Sequence, residues 1–535
     1  MTFDLLTTIT FLPLAGAGVV ALMRVVLPNE KRLAQWVALL FSLVVLALSV
    51  IAFYTYATGN CPQGNAIPNS PYVFACENQP VSYFPLLNSS WHAGIDGLSV
   101  AMVLLTGLLT PLAILISFEV TDEPHAHMAL FLFLEMGLMG VFVSLDLLFF
   151  FIFWEIGLVP MYFLINIWGG ANRRYASFKF FLYTMGGSLG LLLAIQLITS
   201  ATGTMDIPTL LSVWPRSLNA AGQSLTLPFN LNIATVKAIA FLAFFVAFAI
   251  KVPIWPFHTW LPDAHTEAPT AGSMLLAGVM LKLGAYGLLR LVIPLFPAEA
   301  QAFAPVIAAL AVLGIILGAF AAWGQNDFKR LVAYSSVNHM GFVVLGIAAF
   351  AAVYNTIITH GATGVEEMRS VAMATNGAVL QMFNHGLSSA GMFLLVGALY
   401  HKAHTRDLTQ FGGLWTLAPV YGGLLIFTSM ASLGLPGLGG FVSEYQVVAG
   451  TWWIYPVYVA LSMLGLLMTG AYILKGIRAV LHGPVNEHWR GHHLEIEIRE
   501  VIALAPLVAL MLITGIWPNW IMPVINQTIT RLFGA

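Results

Sequence analysis

The sequence predicts an all-α integral membrane protein of about 14 transmembrane helices, with two inverted five-helix repeats, each containing a broken helix. Three observations predict it. Of the 535 residues, 59% are hydrophobic and only 8% are charged, against about 25% charged in an average soluble chain. Apolar stretches of about 20 residues, the length that crosses a bilayer, recur along the whole chain. Two of them are interrupted by Pro and Gly beside an ionisable residue, at 250–262 and 434–440. A soluble domain of this size could not cover its surface with so few charges. Composition therefore excludes a cytosolic enzyme, a nucleic-acid binder and a disordered chain. The net charge of −2 says little. Two cysteines are too few for an iron–sulfur cluster or a thiolate zinc site.

In order, the predicted spans are 4–25, 34–57, 97–119, 128–145, 147–168, 176–200, 231–258, 271–294, 302–323, 331–351, 374–400, 415–450 with a break, 456–478 and 499–521. The first has Asp4 and no basic leader or clear cleavage site, so it reads as a retained helix. Alternate loops carry most of the basic residues, among them Arg24, Lys31, Arg32, Arg173, Arg174, Lys329, Arg330, Lys402, Arg406 and Arg490. By the positive-inside rule these loops face the cytoplasm. Fourteen spans then leave both termini on the outer side. The absence of a transit segment fits a bacterial plasma membrane. The large outer loop, 58–96, holds Cys61 and Cys76, where a disulfide or two free thiols are both open. The inner loop 479–498 is rich in His and Glu and reads as a solvated linker, with a metal site as the alternative.

The informative residues are ionisable groups inside apolar spans: Glu135, Glu155, Lys251, Lys282 and Glu444. Each costs roughly 2.5–3.5 kcal/mol at mid-membrane, and five unpaired would cost on the order of 12–17 kcal/mol. They must pair, neutralise or face water. One reading is buried ion pairs that hold helices together. The other, favoured by both signs and by intervening histidines, is a proton or ion path. Glu155 near Lys251 would form a tunable pair, since a buried lysine loses affinity for its proton unless a carboxylate stands by. His258, His339 and His385 can relay, although each can also be an ordinary core histidine.

The breaks fall in the seventh and twelfth spans. Five spans apart means opposite orientation, which suggests inverted units. The chain then divides into an N-terminal three-helix segment with its outer loop (1–127), a first repeat (128–297), a second repeat (298–480), and an inner loop with the C-terminal helix (481–535).

The segments FWEIGLVPMYFLI, HTWLPDAHTEAPTAGSMLLAGVMLKLGAYGLLR, DFKRLVAYSSVNHMGFV, NHGLSSAGMFLLVGALY, HTRDL and GLPGLGGFVSEY resemble the antiporter-like subunits of respiratory complex I, nearly end to end. Glu444 stands where the sister L and N subunits typically carry Lys, and no long lateral helix follows the last span. The resemblance implies a proton-translocating subunit. It implies Glu155 paired with Lys251, Lys282 on a central hydrophilic axis, His339 connecting to the second half-channel and Glu444 as the exit-side site. His258 and His385 match further axial histidines, and Glu135 a fourth-span carboxylate. It also implies no cofactor in this chain, with FMN, iron–sulfur clusters and quinone held by partner subunits, and L- and N-type neighbours on either side. Multisubunit sodium/proton antiporters share the core and are the alternative. A purely structural spacer is the third reading, disfavoured by the insertion cost.

Overall fold

A computed structural model describes residues 4–61, 73–216, 232–361 and 364–533. Among these, thirteen helices are long and apolar enough to cross a membrane. The twelfth position in the series is filled by two shorter helices, Pro419–Leu433 and Gly439–Trp452. Their junction is the glycine-rich stretch, where Gly434 and Gly437 have φ of +84° and +93°. Left-handed backbone of this kind ends a helix, and glycine carries no Cβ penalty there. The seventh span, Ile233–Lys251, likewise stops at its lysine. Pro253 and Pro256 lack the amide hydrogen that another turn would need, and the chain resumes helix only at Trp260–Glu267.

Several helices outrun the expected lengths. The tenth is Phe328–His360 and the eleventh Glu366–Ala403. Expectation followed apolar runs alone, whereas helices continue past the hydrocarbon where their polar ends find water or partners. The last span ends at Ile516, short of the expected 521. Trp517–Pro518 breaks it, and an amphipathic helix, Met522–Leu532, then buries Val524, Ile525, Thr528, Ile529 and Leu532 on one face.

Loop contacts sort the molecule into two ends. At one, Arg24 pairs with Glu123 (3.0 Å), Lys179 with Asp263 (2.6 Å), Lys402 with Glu500 (2.7 Å) and Arg406 with Asp327 (3.2 Å). This is the end predicted to face inward. At the other, the indole of Trp91 donates to Thr7 (2.7 Å), and Ser89 donates to Asp146 (2.9 Å). Cys61 and Cys76 are disulfide-bonded at this second end. A short hairpin, Val81–Phe84 with Ser89–Trp91, lays Trp91 on Phe149 and Phe153 of the fifth span.

A backbone device occurs twice. Asp146, which caps the fifth span, bridges antiparallel to Asp206 in the loop after the sixth. Leu147 N donates to Met205 O (2.9 Å) and Ile207 N to Leu145 O (2.8 Å). Asp327, which caps the tenth span, bridges in the same way to Asp407 after the eleventh. Phe328 N donates to Arg406 O and Leu408 N to Asn326 O, both at 2.8 Å. The first bridge lies at the disulfide end and the second at the basic end.

Candidate proton-relay site

The eighth span, Thr270–Leu295, is the central element, buried from Ala271 onward. An α-helix leaves no spare carbonyl in mid-span. Here the turn Leu276–Met280 widens to a π-helix, and the Ala277 carbonyl accepts from the ammonium of Lys282. A second π turn, Leu288–Val292, follows the lysine. Lys282 also donates to Nδ1 of His385 on the eleventh span (2.8 Å). The helices meet closely, because a Cβ on Gly386 would stand 2.9 Å from Gly278 O.

Beyond His385 the polar row continues. Its ring centroid is 5.7 Å from that of His339 on the tenth span. His339 Nδ1 faces Glu444 Oε1 at 2.8 Å. The same carboxylate oxygen accepts from Gln381 Nε2 (2.7 Å). His339 Nε2 lies 3.2 Å from both the Ser432 and Tyr472 hydroxyls. Lys282, His385, His339 and Glu444 thus form one buried row through the eighth, eleventh, tenth and twelfth spans. With Lys282 charged, His385 accepts at Nδ1 and a neutral ring carries its proton on Nε2. That nitrogen is buried without a hydrogen-bond partner.

The first half is arranged differently. Lys251 is buried, and its ammonium lies 4.9 Å from the centre of the Trp154 ring. Trp154 donates its indole hydrogen to Ser188 (3.0 Å). Glu155 is next to Trp154 in sequence, and one carboxylate oxygen is buried without a partner. Glu155 and Lys251 therefore interact across the site without an ion pair inside 4.0 Å. The expected contact is open, with Trp154 holding the ammonium.

Two expected residues stand apart from the row. His258 lies in the seventh-span break, its ring 6.4 Å from Tyr334, with Nδ1 buried and unpartnered. Glu135 is fully buried on the fourth span, and neither of its oxygens has a hydrogen-bond partner.

Sequence reasoning passed over several residues here. His265 is buried and stacked on Phe393 (centroids 4.5 Å, 7° between planes), and both its ring nitrogens lack partners. It lies within electrostatic reach of Lys329 and Lys282. Lys329 is buried beside a cavity of about 350 Å³ at the basic end, also lined by Glu267, His127 and Arg406. Their signal was present in HTWLPDAHTEAP, where His265 follows His258 by two helical turns, and in DFKR, whose Lys329 reads in sequence only as a basic loop residue. Among the described residues, no three or more His, Cys, Asp or Glu side chains converge as a metal site.

The comparisons agree with this architecture. Residues 144–366 and 364–469 match the family described as NADH:quinone oxidoreductase/Mrp antiporter, transmembrane. NADH-quinone oxidoreductase subunit M of Rhodobacter capsulatus is 38% identical over 534 residues, covering 99% of this chain and 96% of that protein. The Escherichia coli K12 subunit M is also 38% identical, covering 94% and 92%. A chain of respiratory complex I from Thermus thermophilus superposes with a TM-score of 0.79 at 25% identity, covering 99% of this chain and all of that one. The Mrp complex of Dietzia gives 0.77 at 18% identity, covering 100% and 98%, which is a likeness of fold. The chain belongs to the subunit M family of NADH-quinone oxidoreductase, the antiporter-like membrane subunits of respiratory complex I.

Proposed function

We propose that protons cross this subunit through the buried row Lys282–His385–His339–Glu444, loaded from Glu155 and Lys251. The observation that carries this is the continuity of the row: four titratable side chains on four helices, with 2.8 Å contacts at both ends. A charged lysine releases a proton when its neighbour rearranges, neutral imidazole accepts and passes it on, and a carboxylate receives it. The open Glu155–Lys251 separation supports a switchable pair, because closing it would favour the charged lysine. His258 and Glu135 are assigned auxiliary proton-holding roles beside the path.

The duplicated Asp–Asp bridge supports two inverted repeats, 128–297 and 298–480, between the N-terminal segment 1–127 and the C-terminal segment 481–535. The basic end faces the cytoplasm, so both termini and the disulfide face outward in a bacterial inner membrane. Flavin, iron–sulfur clusters and quinone chemistry belong to partner subunits. Neighbours of the L and N types flank this chain, and redox energy reaches it through them.

The test is purification from native membranes in mild detergent through a tag on this chain. The expected product shows flavin and iron–sulfur absorption, reduces quinone with NADH and acidifies vesicles. A colourless assembly that exchanges sodium for protons without an electron donor would overturn the assignment in favour of an Mrp-type antiporter.

A further inference from the structure

The row above does not use the other polar face that Lys282 belongs to. Lys282, Tyr286 and Arg290 are spaced four apart on the eighth span, so they stack along one helix face. The span runs toward the outer end, which puts Arg290 about 12 Å outward of Lys282 at 1.5 Å per residue. Arg290 pairs with Asp96 at 2.6 Å, and both side chains are almost fully buried, at 1% and 2% exposure. Asp96 caps the third span at its outer end and accepts from Leu98 N and Ser99 N. The guanidinium lies 5.0 Å from the ring of Phe74, in the disulfide-tethered outer loop, and 5.4 Å from that of Tyr286. Its Nε donates to the Tyr286 hydroxyl (3.2 Å), which itself donates to Phe142 O (3.1 Å).

A polar face of the eighth span thus runs outward from Lys282, while the lysine's own ammonium turns back to Ala277 O and His385. It ends on a guanidinium, which does not titrate and cannot hand a proton on. A fixed guanidinium in a narrow passage also repels an approaching proton. We infer that Arg290, held by Asp96, is an electrostatic barrier that stops protons on Lys282 from leaving by the outer side of the first half, and so directs them along the row to Glu444. The inference rests on Lys282 carrying transported protons.

A merely structural ion pair predicts something different. Replacing both buried partners by uncharged residues of similar shape is often neutral. The test therefore uses the assembled complex in sealed vesicles with R290M/D96N, and with R290Q as a second route that keeps a hydrogen-bonding head. Passive proton permeability and protons moved per electron are measured together. The barrier predicts a severalfold rise in permeability and a lower proton yield in both variants, with R290K staying close to the parent. Vesicles of R290M/D96N or R290Q as tight as the parent would overturn it, as would an R290K leak equal to theirs. Adding K282M to R290M/D96N separates the two claims. Closure of the leak supports both; a leak that persists shows that Lys282 is not its source and overturns the barrier, while the relay reading falls separately if K282M alone keeps the parental proton yield.

Discussion

Lys282 satisfies its ammonium with one backbone carbonyl and one imidazole, in a helix buried on every side. Removing the lysine head leaves His385 Nδ1 without its donor, and an orphaned buried group costs about 1–3 kcal/mol. His339 and Glu444 depend on each other in the same way. In Glu444→Gln the amide can still meet His339, but it cannot take up a proton at working pH. Proton yield per electron is expected to fall, and coupled turnover to drop about tenfold if the blocked step rises by roughly 1.4 kcal/mol. Parallel assays of quinone reduction and vesicle acidification check this. Near-parental yields would show that Glu444 is not on the path.

A second residue prediction concerns the disulfide end. His92 sits between two carboxylates, with Nε2 2.6 Å from Glu77 and Nδ1 2.7 Å from Asp206. Burial disfavours the imidazolium, yet Asp206 and Glu77 outweigh it and lift the group from 6.5 to about 9. Because the folded value is raised, the stabilisation is complete below about pH 6.5 and disappears as pH climbs through about 9. Thermal unfolding of the purified complex should lose stability across that window. His92→Gln should flatten the dependence, and an unchanged pH profile in that variant would contradict the assignment.

At the scale of elements, the site depends on how closely helices approach. A Cβ on Gly450 would lie 2.4 Å from Ala374 N, and one on Gly377 would lie 2.7 Å from Val447 N. Small residues at these crossings let the eleventh and twelfth spans meet backbone to backbone. That approach brings Gln381 onto Glu444. Gly450→Leu should overpack the crossing by at least the usual 1–3 kcal/mol and lower the yield of assembled subunit, measured by blotting of native gels. Unaltered assembly and turnover would show that the crossing tolerates separation. Much of this scale was legible beforehand. Apolar length gave the spans, and Pro253, Pro256 and the 434–440 glycines gave both breaks, because such residues carry their backbone preference locally. The π turns around Lys282 were not legible. The first lies against the eleventh span and the second against the seventh, and no residue type encodes either. His265 and Lys329 were hidden for a similar reason: their meaning comes from neighbours distant in sequence.

Over the whole molecule, the basic loops gather at one end and the disulfide, the hairpin and the His92 clamp at the other. Charge alternation along the chain predicted this sorting, since it depends on loop order alone. The open spacing of Glu155 and Lys251 was not predictable, because it turns on how Trp154 fills the space between the fifth and seventh spans. The two halves therefore differ in state within one fold. The first holds a separated pair, and the second two hydrogen-bonded pairs, Lys282–His385 and His339–Glu444, whose rings face each other at 5.7 Å.

Protons carried along this row must leave the central lysine through His385, the side chain that, among the described residues, accepts from it toward the second half. The most direct measurement is the number of protons moved per electron by the complex in sealed vesicles, with His385→Phe against the parent. A flat aromatic ring is kept and the relay nitrogens are removed. With the relay cut, quinone reduction is expected to persist at a reduced rate while the proton yield drops by this subunit's share. A parental proton yield in the assembled His385→Phe complex would contradict it.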